Sequence, residues 1–126
     1  VPEGAQAPDP SEAAREALAA ERAETLARIA ALTREFGGIV EATADANTDD
    51  EHDPEGATIA FERAQVAALL DQATTRLDEL DRALTRMEGG TYGRCEVCGE
   101  PIPAERLEVR PSARTCVRCA DGRARG

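Results

Sequence analysis

Four cysteines in two close pairs, Cys95-x2-Cys98 and Cys116-x2-Cys119, stand out in this chain of 126 residues. Each C-x-x-C can turn two thiolates toward one point, and the 17 residues between the pairs let the two knuckles meet and complete a tetrahedron. That is the spacing of a four-cysteine zinc site. Gly99 follows the second cysteine, where a knuckle often needs a backbone conformation that glycine adopts cheaply. Two other chemistries compete. A redox C-x-x-C usually sits in a βαβ setting, absent from this pattern, and would leave the second pair without a role. A catalytic zinc needs an open coordination position, and four protein thiolates leave none. One structural Zn2+ is therefore expected. An enzyme is not, because no nucleophile–base pair accompanies the closed site.

The metal would carry much of the local folding. The apolar residues around the cysteines, mainly Tyr92, Val97, Ile102, Leu107 and Val109, are too few to fold the segment. Zinc binding contributes about 10–16 kcal/mol in comparable peptides. Zinc with four thiolates carries a net charge of −2, which Arg94, Arg114 and Arg118 can offset or approach by hydrogen bonding to sulfur. Arg106 and Arg110 lie farther from the ligands in sequence, and contact with a partner is expected there.

The elements that hold this site are helical. The hydrophobic fraction of 41% owes much to alanine, and with two Phe, one Tyr and no Trp a thick core is excluded. Long helices burying a narrow seam fit that composition. Asp9-Pro10-Ser11-Glu12 is a helix start, with Asp as N-cap, Pro in the first turn and Glu to close a capping box. Beyond it Leu18, Thr25, Leu32 and Ile39 recur every seven residues. Arg22, Ile29 and Phe36 alternate with them, and Leu26, Thr33 and Val40 widen the stripe. Gly37-Gly38 weakens the helix and marks a place for a bend or break.

Residues 45–53 hold five acids and no large apolar side chain, so they form a loop. Asp53-Pro54 repeats the helix start. Leu70, Ala73, Leu77, Leu80, Leu84 and Met87 then follow a 3-4-3-4-3 spacing, extended backward by Val66 and Ile59 and ended by Gly89-Gly90. Two helices over 10–44 and 54–88, each roughly 50 Å at 1.5 Å per residue, make an antiparallel hairpin the simplest solution. A parallel coiled-coil dimer through the second helix is the rival, less favoured because both helices offer an apolar stripe. The expectation is a mainly α protein: a disordered tail over 1–9, a coiled-coil hairpin over 10–88 with an acidic tip at 45–53, and a finger with a short C-terminal helix over 89–126.

Charge narrows the partners. The net charge is −10, and residues 1–90 carry 8 of the 15 arginines but 20 of the 25 acids. Neither half presents the basic face that phosphate backbones require, so sequence-specific DNA binding is not expected. No stretch approaches the ~20 apolar residues of a membrane span. "VPEGAQAPDP" has neither the basic nor the apolar region of a signal peptide, so a cytoplasmic location is expected.

The segment "YGRCEVCGEPIPAERLEVRPSARTCVRC" closely resembles the zinc finger of the DksA/TraR family, including the G-x-P-I-P run and R-L-E-x-x-P. The hairpin ahead of it is also of that family's character. The resemblance implies a regulator that binds RNA polymerase directly, passes its coiled coil into the secondary channel, and brings acidic tip residues near the active centre. Asp50-Glu51-His52-Asp53 is similar to the family's D-x-x-D tip, which implies Asp50 and Asp53 as the acting acids; Asp49 offers a second pairing. The alarmone ppGpp acts with some members through basic residues. Arg110 matches one such position, but Glu79 stands where another would be, and Ala120 and Asp121 follow the second knuckle, so a strong ppGpp response is not expected. A monomer is expected. The alternative function is a zinc-ribbon and coiled-coil adaptor for some other protein.

Overall fold

The computed structural model describes residues 10–45 and 54–122. The expected tail over 1–9 and the acids Asp50 and Asp53 lie outside the described residues. Helix α1 runs Pro10–Asp45 and α2 Pro54–Gly89, followed by the short helices α3, Ala104–Val109, and α4, Val117–Ala120. This is the expected antiparallel pair of long helices with a small finger after it.

Both long helices start at proline, whose fixed φ suits a first turn and whose missing N–H is not needed there. Helix α1 continues unbroken through Gly37-Gly38, and a Cβ at either position would meet nothing within 4 Å. The cost of two glycines is about 1 kcal/mol each, spread over a helix of 36 residues, so the place marked for a bend stays helical. Helix α2 stops as its Gly-Gly predicts. Gly90 takes a φ of 79°, its N–H reaches the Met87 carbonyl at 3.3 Å, and the Thr91 N–H reaches back to the Arg86 carbonyl at 2.9 Å. Those two bonds form a Schellman motif, which satisfies carbonyls that the helix end would otherwise leave open.

The described residues form two compact units, one of 10–22 with 78–122 and one of 23–45 with 54–77. In the first, Leu18, Leu80 and Ala83 have no exposed surface, and Leu84, Met87 and Tyr92 pack around them. Burying a leucine of this kind contributes about 1.5–3 kcal/mol. Arg22 adds a bond from Nε to Oδ1 of Asp81 at 2.5 Å. In the second unit Leu32, Val66 and Ala73 are buried, flanked by Ile29, Phe36, Ile39, Leu69 and Leu70. From Leu18 to Leu32 the seam of α1 advances fourteen residues, and from Leu80 to Val66 the seam of α2 retreats by the same number. Both spans are two heptads, and within each unit α1 packs against α2 through these seam residues.

Candidate metal centre

The first knuckle is a tight backbone hairpin. Arg94 and Pro101 form an antiparallel bridge, the Cys95 N–H donates to the Glu100 carbonyl at 2.8 Å, and the Ile102 N–H donates to Gly93 at 2.7 Å. At its turn the Gly99 N–H returns to the Cys95 carbonyl at 3.0 Å with a φ of 77°, the left-handed conformation expected of this glycine. Cys116 caps α4, and the Ala120 N–H donates to its carbonyl at 2.9 Å, which places Cys119 one turn on. A bond from the Glu96 N–H to the Arg114 carbonyl, 2.9 Å, ties the two knuckle-bearing strands of chain together.

These elements bring all four sulfurs within 4.8 Å of one another. Tetrahedral zinc with Zn–S bonds of about 2.3 Å requires sulfurs about 3.8 Å apart, and Cys98 and Cys116 lie at 3.9 Å. The donor set and spacing fit one zinc ion. Cys95 and Cys119 are buried and form the finger's core with Ile102, against which Leu107 and Cys116 pack; Cys98 is exposed. The ligands are thus also the apolar centre of the finger.

The thiols are not equivalent. At Cys95 burial works to raise the pKa, but N–H groups of Cys98, Cys116 and Val97 and the Cys119 thiol overcome it and bring it down to about 6. At Cys98 the Glu100 N–H favours the thiolate, yet burial and the competing thiols of Cys95 and Cys116 leave the pKa above its ordinary value. Cys119 is pushed up to about 12, first by burial and then by the three other sulfurs. A cation at the centre reverses that crowding, because thiolates that repel each other are all attracted to it.

The arginines divide. Arg94 donates from Nη1 to the Gly99 carbonyl at 3.1 Å, bracing the first knuckle. Arg114 and Arg118 are exposed beside the ligands. Arg106 turns inward, its Nε donating to the Thr115 carbonyl at 2.9 Å, directly before Cys116, while Arg110 is exposed. Glu79, Arg110 and Ala120, positions far apart in sequence, line one cleft of about 600 Å³. Arg86 was not singled out by sequence reasoning. Its Nη1 lies 3.4 Å from Glu96 Oε1 and its Nη2 3.5 Å from the Ala113 carbonyl, so it touches both knuckle-bearing segments from α2. The one available signal was a cation in the last turn of a helix, where the dipole favours it.

Residues 90–124 match the family model of the prokaryotic dksA/traR C4-type zinc finger. The match spans the whole finger. The DksA/TraR resemblance drawn from its motifs therefore holds, and the relatives extend it beyond the finger. The chain is 35% identical over 100 residues to general stress protein 16O of Bacillus subtilis, covering 79% of this chain and 55% of that one. It is 44% identical over 52 residues to the RNA polymerase-binding transcription factor DksA of Caulobacter vibrioides, covering 41% of this chain and 37% of that protein. In structure it is similar to transcription factor DksA2 of Pseudomonas aeruginosa, with a TM-score of 0.76 and 28% identity over 92% of this chain and 84% of that one. The chain spans about half or less of the length of the curated relatives it matches. Among the described residues no helix is long and apolar enough to cross a membrane.

Proposed function

We propose that this protein is a zinc-finger transcription regulator that binds RNA polymerase directly and modulates initiation by inserting its coiled coil into the secondary channel. The observation that carries this reading is the combined likeness to DksA2, which covers hairpin and finger together at a TM-score of 0.76. The Caulobacter relative, described as RNA polymerase-binding, supports the same partner. Cys95, Cys98, Cys116 and Cys119 hold the zinc, which supplies a fixed framework for the finger and no reactive position. Asp50 and Asp53 are the residues that approach the polymerase active centre, where carboxylates can pair with arginines or perturb metal-bound groups. Arg110, exposed at the cleft, contacts the polymerase rim, and Arg106 supports that surface from within. With Glu79 and Ala120 in the same cleft, coupling to ppGpp is weak. The protein acts as a monomer in the cytoplasm and makes no sequence-specific contact with DNA.

The test is the lifetime of promoter complexes of the cognate polymerase, with and without this protein, beside an Asp50→Asn/Asp53→Asn variant. The reading expects an altered lifetime that the variant loses while still binding polymerase. Absence of polymerase binding by the intact protein overturns it and leaves an adaptor with a different partner.

A further inference from the structure

Arg86 is held in an unusual state for a cation near a protein surface. Its side chain is 12% exposed, against 60% for Arg82 one turn earlier on α2. Its Nε is buried and has no hydrogen-bond partner among the described residues. A guanidinium offers five N–H donors, and its bonds to charged acceptors normally run 2.7–2.9 Å. Here the two contacts are 3.4 and 3.5 Å, and the carboxylate partner, Glu96, is itself 42% exposed. Such a pair is too loose and too wet to compensate the desolvation of a buried charge.

The surroundings make the deficit larger. Arg82, Arg106, Arg110 and Arg114 line the same cleft as Arg86, and among the described residues the acids that line it are Glu79 and Glu96. A further source of negative charge is the metal centre. Cys119 lines this cleft, and Glu96, the residue Arg86 contacts, directly follows Cys95. A zinc ion with four thiolates carries a net −2 that no protein ligand neutralises.

We propose that Arg86 is the buried counter-charge of the zinc centre, so that loading the metal fastens the finger to the end of α2 and losing it leaves an uncompensated cation in the joint. Arg86 is a positioning residue, acting on the metal through its charge. Coupling of this kind is reciprocal: the guanidinium tightens metal binding by the same factor by which metal stabilises the joint.

Zinc affinity of the full chain, measured by competition with a chromophoric chelator, tests the assignment in wild type, Arg86→Met, Arg86→Lys and Glu96→Gln. Arg86→Met is expected to weaken zinc binding about tenfold, the lower end of what loss of an outer partner does to a metal site. Arg86→Lys, which keeps the charge but not the planar fork, is expected to restore most of that loss, whereas Glu96→Gln leaves the affinity near wild type. The zinc-induced rise in thermal midpoint should be smaller in Arg86→Met than in wild type. Should Arg86→Met lose its helical signal, Arg86→Gln takes its place in the same measurements. Wild-type zinc affinity in the neutral variant overturns the proposal. So does a lysine variant as weak as the methionine one, because the role is then one of shape and not of charge.

Discussion

The Tyr92 hydroxyl donates to the Pro111 carbonyl across 2.6 Å, while its side chain packs against the cluster of Leu18, Leu80 and Ala83. One side chain thus joins the end of the helical pair to the segment that delivers the second knuckle. Removing only the oxygen tests that join. Tyr92→Phe is expected to cost about 1 kcal/mol, read as a lower denaturant midpoint with an unchanged slope. Burial raises the Tyr92 pKa, with the Arg86 charge working the other way. The protonated form is favoured in the fold, so this contribution is complete below the ordinary tyrosine pKa of about 10 and is lost as pH climbs through the raised value.

Burial sets a contrast between two large apolar residues of α2. Leu80 is fully buried in the seam, whereas Phe61 is 70% exposed. Leu80→Ala is expected to destabilise by about 2–5 kcal/mol through lost burial and the cavity it leaves. Phe61→Ala should stay within about 0.5 kcal/mol. Equal losses in chemical denaturation would mean that Phe61 is covered in solution.

Metal removal should act locally. Chelation is expected to abolish amide protection over residues 93–122 while most of the far-UV helical signal, which comes from α1 and α2, persists. Protons report the same event. With Cys119 held at about 12 and Cys98 above its ordinary value, both carry protons near neutrality, whereas Cys95 at about 6 is already largely ionised. Zinc binding at about pH 7 should therefore release at least the protons of Cys98 and Cys119, and apparent affinity should rise with pH. Calorimetry in buffers of different ionisation enthalpy measures that release; a buffer-independent heat contradicts it.

The Arg22–Asp81 bond is short, but the two side chains are 40% and 46% exposed. Solvent and salt screen such a pair, and its coupling in a double-mutant cycle with Arg22→Ala and Asp81→Ala should be about 0.2–1 kcal/mol, falling as salt is raised. A coupling above 2 kcal/mol would show that the pair is more enclosed than its exposure indicates.

Much of this architecture is written in spacing. The seven-residue recurrence that includes Leu18 and Leu32 and the 3-4 recurrence that includes Ala73 and Leu80 name residues that the structure buries. The cysteine spacing names the whole metal site. What spacing does not carry is depth. Ala83 falls outside the stripe read from α2 yet has no exposed surface, while Leu26 and Val40, read as widening the stripe of α1, are each 41% exposed. Arg22 reads as a polar interruption of the seam and proves to be paired across it with Asp81. Arg86 draws no reading from the sequence beyond its place in a helix's last turn, since its burial depends on contacts with the finger, a long-range event. The same applies to Arg106, whose inward bond to Thr115 depends on the path of the chain between the knuckles.

The matched fourteen-residue steps along α1 and α2 limit how such a protein can change length over evolutionary time. An insertion in one arm alone would shift the later seam residues off their partners. Seven residues gained or lost in both arms keep the pairing and change the length of the helical arms by about 10 Å. Length variants of this hairpin should therefore be found in paired multiples of seven.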